Sequence, residues 1–192
     1  MKKISNQDNT HLGTVTVTSA RISIDDIAAS DCLKLYEFWD ILREDRFAPT
    51  WEEFDLSYLP ANCIQYTHVV DISTEPFDIT FRFWGTGLTR VLYFDRTGQS
   101  LLKTNMGYLD EHRREQVLSD YCAVIKSKKP MPFLWDASST REHSRRLIVP
   151  SIRLPLSADN NKVTGIITHF DFASQDKSVW EKMFEVNNRS EK

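Results

Sequence analysis

The stretch FDITFRFWGTGLTRVLYFDRTGQSLL, residues 77–102, decides how the rest of the chain is arranged. Its first part, Ile79–Trp84, is rich in β-branched and aromatic residues and predicts a strand. Gly85 and Gly87 end this strand, and apolar residues at i, i+3 and i+4 then predict one or two helical turns. A second glycine turn follows at residues 95–98. We therefore expect a half-open cup, with a helix before it and a sheet after it.

The composition predicts one globular domain with short extensions. The chain has 192 residues, and its 41% of apolar residues include eleven Phe, five Trp and six Tyr, which can supply a core. A net charge of −3 argues against a nucleic-acid partner. No apolar run reaches the roughly 18 residues of a membrane helix, and no secretory signal is visible, so we expect a cytoplasmic protein. Because the two ends are short and polar, we expect no attached kinase, cyclase or DNA-binding region.

The residues before the cup predict one main helix. The polar residues 1–22 indicate a flexible leader, although alternation around Val15 and Val17 is also compatible with an edge strand. A helix is expected over residues 24–43, with Ser23 and Asp26 as its capping box. Its wide apolar stripe can pack on its own sheet or against a second copy of the chain. This helix belongs to an N-terminal helical region over residues 23–60.

The core is predicted over residues 61–172. Two strands form a hairpin, a helix follows, and three further strands close the sheet. Prolines in the second of these three strands predict a bulge or an edge position, because proline lacks the ladder N–H. Residues 173–192 are a polar tail with a possible short helix near Trp180. The expected elements are strands at 63–72 and 77–84, a helix at 110–126, and strands at 131–137, 144–156 and 162–172.

Several short motifs follow one another along the chain, from Phe38-Trp39 through Phe81–Thr86 to Val163–Phe172. In this order they resemble the PAS superfamily. Within it, the chain is similar to a PAS subfamily found in many proteobacterial proteins of unassigned function. The resemblance covers residues 33–172 and implies an α+β fold: a PAS-like five-stranded antiparallel sheet with a helical crossover, plus an N-terminal helix. The chain departs from the pattern at Thr50-Trp51, where many members carry an arginine. The matching residues are Phe38-Trp39, Arg43, Pro49, Leu59-Pro60, Phe81–Thr86, Thr97-Gly98, Leu101, Leu154–Ser157 and Val163–Phe172.

No motif of catalysis or cofactor attachment is visible, so we expect no enzyme. The sequence contains no G-x-S-x-G nucleophile motif, and the glycines at 85 and 87 lack the remaining parts of a phosphate loop. The crossover holds neither the cysteine of the light-sensing PAS relatives nor a histidine for haem, so no covalent flavin or haem attachment is expected. The three cysteines, Cys32, Cys63 and Cys122, are far apart and predict reduced thiols without a metal.

A small-molecule pocket is expected between the crossover helices and the sheet. Such pockets are mostly apolar with a few polar groups, and ordinary core packing is the alternative role for each lining residue. Four strand arginines, at positions 82, 145, 146 and 153, are candidates to meet an anion, although a solvated position is usual for such residues. The predicted lining residues are Phe83, Leu92, Tyr93, Tyr121, Trp135, Ile152 and His169.

The resemblance favours a non-catalytic sensory or ligand-binding domain that signals through an unidentified partner chain. It also implies a homodimer through the N-terminal helix, with neither nucleic acid nor membrane as a partner. One alternative is a protein-interaction module whose pocket is filled by its own aromatic residues. Another is an enzyme of ketosteroid-isomerase-like shape that uses Asp71, Tyr93 and His169, although the strand order argues against it.

Overall fold

A computed structural model describes residues 15–28, 30–92, 94–103, 111–139, 146–172 and 175. It contains antiparallel strands and helices in the order β1, α1, α2, β2, β3, α3, α4, β4, β5 and β6. No helix in these ranges is long and apolar enough to span a bilayer. The strands are β1 (Val15–Arg21), β2 (Thr67–Thr74), β3 (Phe77–Trp84), β4 (Met131–Ser139), β5 (Arg146–Leu156) and β6 (Gly165–Phe170). The helices are α1 (Ser30–Arg43), α2 (Ala61–Ile64), α3 (Thr86–Leu92) and α4 (Glu111–Ser127).

The described strands form one antiparallel sheet in the order β1-β4-β5-β6-β2-β3. The predicted α+β class is confirmed, as is the order that the PAS resemblance implies: two strands, a helical crossover and three strands. The sheet has six strands rather than five because β1 pairs with β4 along residues 15–21. The prediction of a flexible leader is therefore wrong for these seven residues, since pairing with β4 supplies the hydrogen bonds that their short apolar pattern did not reveal.

The predicted first helix is divided into two parts. Ser23 caps a short 3₁₀ helix over Ile24–Asp26, accepting a hydrogen bond from the backbone N–H of Asp25. The following Ile27 is extended at φ −79° and ψ 105°, and it is buried against the core. The α-helix begins only at Ser30. Ser23 is thus a cap as predicted, but the helix that it caps is one turn long.

The hairpin of β2 and β3 begins later than predicted. Residues 61–64, where the first strand was expected to start, form α2, and β2 begins at Thr67. β3 spans residues 77–84 as predicted. The register shifts between Val69 and Val70, which pair with Phe83 and Phe81. This bulge on β3 lets Phe81 and Trp84 lie on the same face of the sheet although they are three residues apart.

Each of the two prolines of β5 lies beyond the end of the ladder on one side of the strand, which is the partial edge position that the sequence offered as one alternative. β5 pairs with β4 only as far as Arg153. Pro155 lies two residues beyond this point, so no strand stands opposite its nitrogen to need an N–H donor. Its carbonyl oxygen accepts a hydrogen bond of 2.7 Å from Trp39 Nε1 on α1. Pro150 lies just outside the pairing with β6, and its carbonyl accepts from the Asp171 N–H. Both prolines therefore sit where the ladder has already ended on the relevant side.

Alternation along the strands gives the sheet two buried faces. One face carries Val70 and Ile166 and packs against α3 and α4; it is called the α4 face here. The other face carries Val69 and Ile167 and packs against α1; it is called the α1 face. Each residue of β2, β5 and β6 is thereby assigned to one core or the other. This assignment decides which of the candidate site residues can meet.

Candidate functional site

Four buried polar or aromatic side chains form one row across four neighbouring strands. Arg153 of β5 pairs with Thr168 of β6, and Thr168 pairs with His68 of β2. His68 in turn pairs with Trp84 of β3. Directly opposed residues of antiparallel strands project from the same face of a sheet. We call Arg153, Thr168, His68 and Trp84 the polar row; it lies on the α4 face.

Tyr121 of α4 closes over this row. Its hydroxyl lies 2.6 Å from His68 Nε2, and both groups are fully buried. The His68 ring also stacks on Trp84 with 5.2 Å between the ring centroids. Burial, with a smaller effect from the nearby Arg153 charge, lowers the pKa of His68 to about 3, and burial raises the pKa of Tyr121. Both side chains are therefore neutral near pH 7, so neither adds a charge to the site.

Arg153 is a buried cation whose charge is balanced by the carboxylate of Asp120 on α4. Its guanidinium lies 4.4 Å from the ring centroid of Phe133 and 5.1 Å from that of Tyr121. Its Nη1 is 3.7 Å from Asp120 Oδ2, which is an ion-pair distance but too long for a hydrogen bond. Asp120 also accepts a hydrogen bond of 2.5 Å from Ser19 Oγ on β1. The carboxylate thus joins α4 to the sheet and neutralises Arg153.

The polar row has unused hydrogen-bonding capacity. Among the described residues, no hydrogen bond of normal geometry is found for His68 Nδ1, Trp84 Nε1, Thr168 Oγ1, or Arg153 Nε and Nη1, all of which are buried. Thr168 and Arg153 nevertheless interact with the Tyr121 hydroxyl, and this interaction offsets part of the rise in the pKa of Tyr121. Trp84 and Arg153 offer only N–H donors, whereas the threonine hydroxyl donates or accepts. Buried polar groups without a partner are uncommon, and each costs about 1–3 kcal/mol. Such atoms on all four adjacent side chains make the polar row the candidate ligand site.

The structure divides the predicted pocket residues between the two faces. Tyr121, Leu92 and Trp135 pack in the core of the α4 face. Phe83 and Ile152 belong to the core of the α1 face, so they do not face the crossover helices as expected. The physical reason is strand alternation: Ile152 is adjacent to Arg153, and only one of the two can point to α4. Tyr93 lies outside the described residues.

His169 also points away from the crossover. Its Nδ1 lies 3.0 Å from Thr67 Oγ1 and 3.8 Å from Cys63 Sγ, below α1 and α2. Burial lowers the pKa of His169 to about 4 and raises that of Cys63 to about 12. A thiol with so high a pKa is a poor nucleophile at neutral pH. The described residues contain no group of three or more His, Cys, Asp or Glu side chains that could hold a metal ion.

The remaining candidates are distributed over the surface or fall outside the described ranges. Arg82 pairs with Asp71 at 2.7 Å, and Arg146 pairs with Asp136 at 2.6 Å, both exposed to solvent. Arg145 lies outside the described residues. Because Asp71 is bound on the surface and His169 faces α1, the two do not form an acid–base pair.

Sequence reasoning named Tyr121 and Arg153 but missed His68, Trp84 and Thr168 as a set. Arg153 had the clearest signal, since a charge between Ile152 and Leu154 interrupts an apolar strand. His68 and Thr168 sit within apolar strands in the same way. Their pairing could not be read from the sequence, because it depends on the register of β2 with β6.

Comparison with known proteins adds little to this description. No family model matches the chain, and no curated protein matches it. The chain is similar to a solved structure described as "Structure of an RNA-binding Light-Oxygen-Voltage Receptor", with a TM-score of 0.42 and 10% sequence identity. The match covers 93% of this chain and 43% of that receptor chain, so this chain spans less than half of the receptor's length. At this TM-score the likeness carries no argument about function.

Proposed function

We propose that this chain is a non-catalytic PAS-like sensory domain that binds a small molecule at the polar row and signals through a partner chain. The observation that carries the proposal is the set of buried atoms on Arg153, Thr168, His68 and Trp84 that make no hydrogen bond of normal geometry. Most of these atoms are N–H donors, so the ligand offers oxygen acceptors such as a carbonyl or a carboxylate. The fully buried, neutral His68 is consistent with a binding role for the polar row.

The helix α4 connects this site to the outside of the molecule. Tyr121 contacts His68 directly, and the adjacent Asp120 holds α4 to β1 and β5. A ligand that binds Arg153 or His68 changes these contacts and thereby shifts the position preferred by α4. A shift of this kind needs a ligand that binds the two positions with different affinity.

The experiment is native mass spectrometry of the protein purified under non-denaturing conditions, with two matched threonine variants. Thr168→Val removes a buried hydroxyl that makes no hydrogen bond of normal geometry. Thr67→Val removes a buried hydroxyl of the opposite face that donates to the Cys63 carbonyl at 2.8 Å. We expect a bound mass in the wild type and in Thr67→Val, and a smaller bound fraction in Thr168→Val.

Stability separates loss of ligand from loss of structure. Without ligand, Thr168→Val should lose less stability than Thr67→Val, because the Thr168 hydroxyl makes no hydrogen bond of normal geometry and only its weaker interaction with Tyr121 is lost. Thr67→Val should lose about 1–3 kcal/mol, because the Cys63 carbonyl and His169 lose their partner. An equal bound fraction in the wild type and in Thr168→Val, or no bound mass in any of the three, contradicts ligand binding at the polar row.

A second candidate is a protein-interaction module with a filled core. Aromatic rings favour it, because Phe81, Trp84, Phe94 and Phe170 occupy the same face of the sheet. The Phe81 and Trp84 centroids are 5.2 Å apart, and those of Trp84 and Phe94 are 5.7 Å apart. This candidate predicts a dry, side-chain-filled site and no bound mass, so the same experiment decides between the two functions.

We also propose a cytoplasmic homodimer that forms through the outer surface of α1. Ile41 is 74% exposed and Tyr58 is 76% exposed, and Phe38 lies between them, 6.4 Å from the Tyr58 ring. Analytical ultracentrifugation tests the dimer with Ile41→Asp, and Phe77→Asp is the control, since Phe77 is an exposed apolar residue on β3. We expect Ile41→Asp alone to be monomeric. A wild-type monomer at high concentration contradicts the proposal.

A further inference from the structure

A groove of about 350 Å³ lies between the second half of α1 and the connection from α4 to β4. It is separate from the polar row, since none of the four row residues lines it. The α1 wall belongs to one face of the sheet and the α4 wall to the other, so the groove opens where the two helical layers meet. The lining residues are Tyr36, Trp39, Asp40, Arg43, Phe47, Ser127, Lys128, Lys129 and Pro130.

The groove combines an aromatic floor with a cationic rim. Tyr36 and Trp39 are stacked with 6.2 Å between their centroids, and Phe47 completes the floor. The rim carries the three cations Arg43, Lys128 and Lys129 and the single carboxylate of Asp40. The groove is therefore positive, with two more cations than anions, in a chain whose net charge is −3. Its charge is complementary to that of an acidic partner.

Contacts within the chain hold the two walls in place. Lys128 adopts φ 55°, its ammonium donates to the Asn161 carbonyl at 2.5 Å, and it lies 5.2 Å from the Phe47 centroid. Arg43 binds Asp40 at 2.7 Å and lies 5.6 Å from the Trp39 centroid. Lys129 differs from both, because its side chain makes no ion pair within the described ranges. The floor is thus preorganised, while Lys129 keeps its ammonium available.

We propose that this groove binds an acidic segment of a partner protein. A single large apolar side chain of the segment packs on Tyr36 and Phe47, and flanking carboxylates meet Lys128 and Lys129. The charge favours this occupant, since three cations and one carboxylate line the groove, and a volume of about 350 Å³ is large enough for one anchoring side chain. The proposal does not depend on a ligand at the polar row.

The test begins with selection from a phage-displayed library of random dodecapeptides on the full chain. Enriched peptides should contain Asp or Glu on both sides of one Leu, Phe or Trp. The best peptide is then measured by fluorescence anisotropy on the wild type, on Lys129→Glu and on Arg90→Glu. Arg90 is an exposed residue of α3 outside the groove, so its reversal changes the net charge equally.

We expect Lys129→Glu to weaken the binding of the peptide by about fivefold, and Arg90→Glu to weaken it by less than about twofold. Raising the salt from about 0.1 M to about 1 M, which shortens the Debye length from about 10 Å to about 3 Å, should weaken it further. Failure to enrich any peptide, enrichment of neutral or basic peptides, or equal binding by Lys129→Glu and Arg90→Glu overturns the proposal. None of these outcomes bears on ligand binding at the polar row.

Discussion

Gly85 stands where β3 turns into α3, and replacing it by alanine should destabilise the whole fold. A Cβ at this position would lie 2.3 Å from the Gln65 carbonyl oxygen and 2.7 Å from that of Ile64. Both obstacles are backbone atoms and cannot rotate away. Since ordinary contact begins at 3.4 Å, the turn and α2 would have to separate by about 1 Å.

The expected cost follows from the contacts that this separation strains. The Gly85 N–H donates to the Thr67 carbonyl at 2.9 Å, and the Leu88 N–H donates to the Gln65 carbonyl at 3.1 Å. Overpacking costs about 1–3 kcal/mol, and weakening the two bonds adds about 1 kcal/mol. The smaller entropy of the unfolded alanine chain offsets about 0.4–1 kcal/mol. We expect a net loss of about 2 kcal/mol.

Gly98 is the matched control because it needs glycine for a different reason. Its φ is +78°, and no atom lies within 4 Å of an added Cβ. Gly98→Ala should cost only about 1 kcal/mol, the penalty of a left-handed alanine less its entropic gain. Asparagine tolerates this conformation, so Gly98→Asn should be milder than Gly98→Ala. At position 85 the larger side chain of asparagine should be worse than alanine.

Urea unfolding, followed by far-UV circular dichroism and by tryptophan fluorescence, measures these differences. Coincident transitions from the two signals justify a two-state free energy. A loss of about 2 kcal/mol should lower the melting temperature by about 4–8 °C for a chain of this size. If Gly85→Ala were as stable as Gly98→Ala, the close approach of the β3–α3 turn to α2 would be refuted.

Three further predictions concern the buried polar groups. Folding lowers the pKa of His68 from 6.5 to about 3 and that of His169 to about 4, so the unfolded chain takes up protons first as the pH falls. The free energy of unfolding should therefore decrease from about pH 6.5 to pH 4.5, by up to about 2 kcal/mol per pH unit, as measured by urea unfolding. His169→Gln should make this dependence about half as steep, and a flat profile would contradict the buried neutral histidines. Trp39→Phe leaves the Pro155 carbonyl without its donor and should cost about 2 kcal/mol more than Trp51→Phe, which shortens a partly buried ring that packs against the α1-face core and lies over the Arg82 guanidinium. Equal costs would argue against the hydrogen bond of Trp39. Asp120→Asn leaves Arg153, whose side chain is only 7% exposed, without its counter-charge and should cost about 3–5 kcal/mol in thermal or urea unfolding. The control Asp71→Asn, at an exposed ion pair, should cost under about 1 kcal/mol. The reverse order would show that Asp120 does not compensate the charge of Arg153.

The hairpin of β2 and β3 was largely predictable because its signals are local. Alternating β-branched and aromatic residues placed β3 at residues 77–84, and Ser73-Thr74-Glu75-Pro76 predicted the turn between the strands. Helix α4 was placed within one residue at each end by its apolar spacing and by Pro130. By contrast, β1 depends on β4, more than a hundred residues away, and local pattern could not distinguish it from a polar leader.

The candidate site also combines features that local sequence predicts with features that depend on distant strands. Sequence reasoning found polar and aromatic residues in the right strands, but assigned Ile152 and His169 to the crossover side together with Tyr121. Period-two alternation shows that Ile152 and Arg153 face opposite ways; it does not show which of them meets α4. That choice follows from the packing of α1 against Ile152 on one face and of α4 near Arg153 on the other.

Local signals were enough to predict the α+β class, the order of the elements from residue 67 to residue 170, and the glycine turns at residues 85 and 98. These features depend on neighbours within a few residues. The sixth strand, the ends of the two ladders beside Pro150 and Pro155, and the alignment of Arg153, Thr168, His68 and Trp84 became visible only in the folded chain. Each of these depends on the register between strands that are distant in the chain, and register is set by which faces are buried when the helices pack.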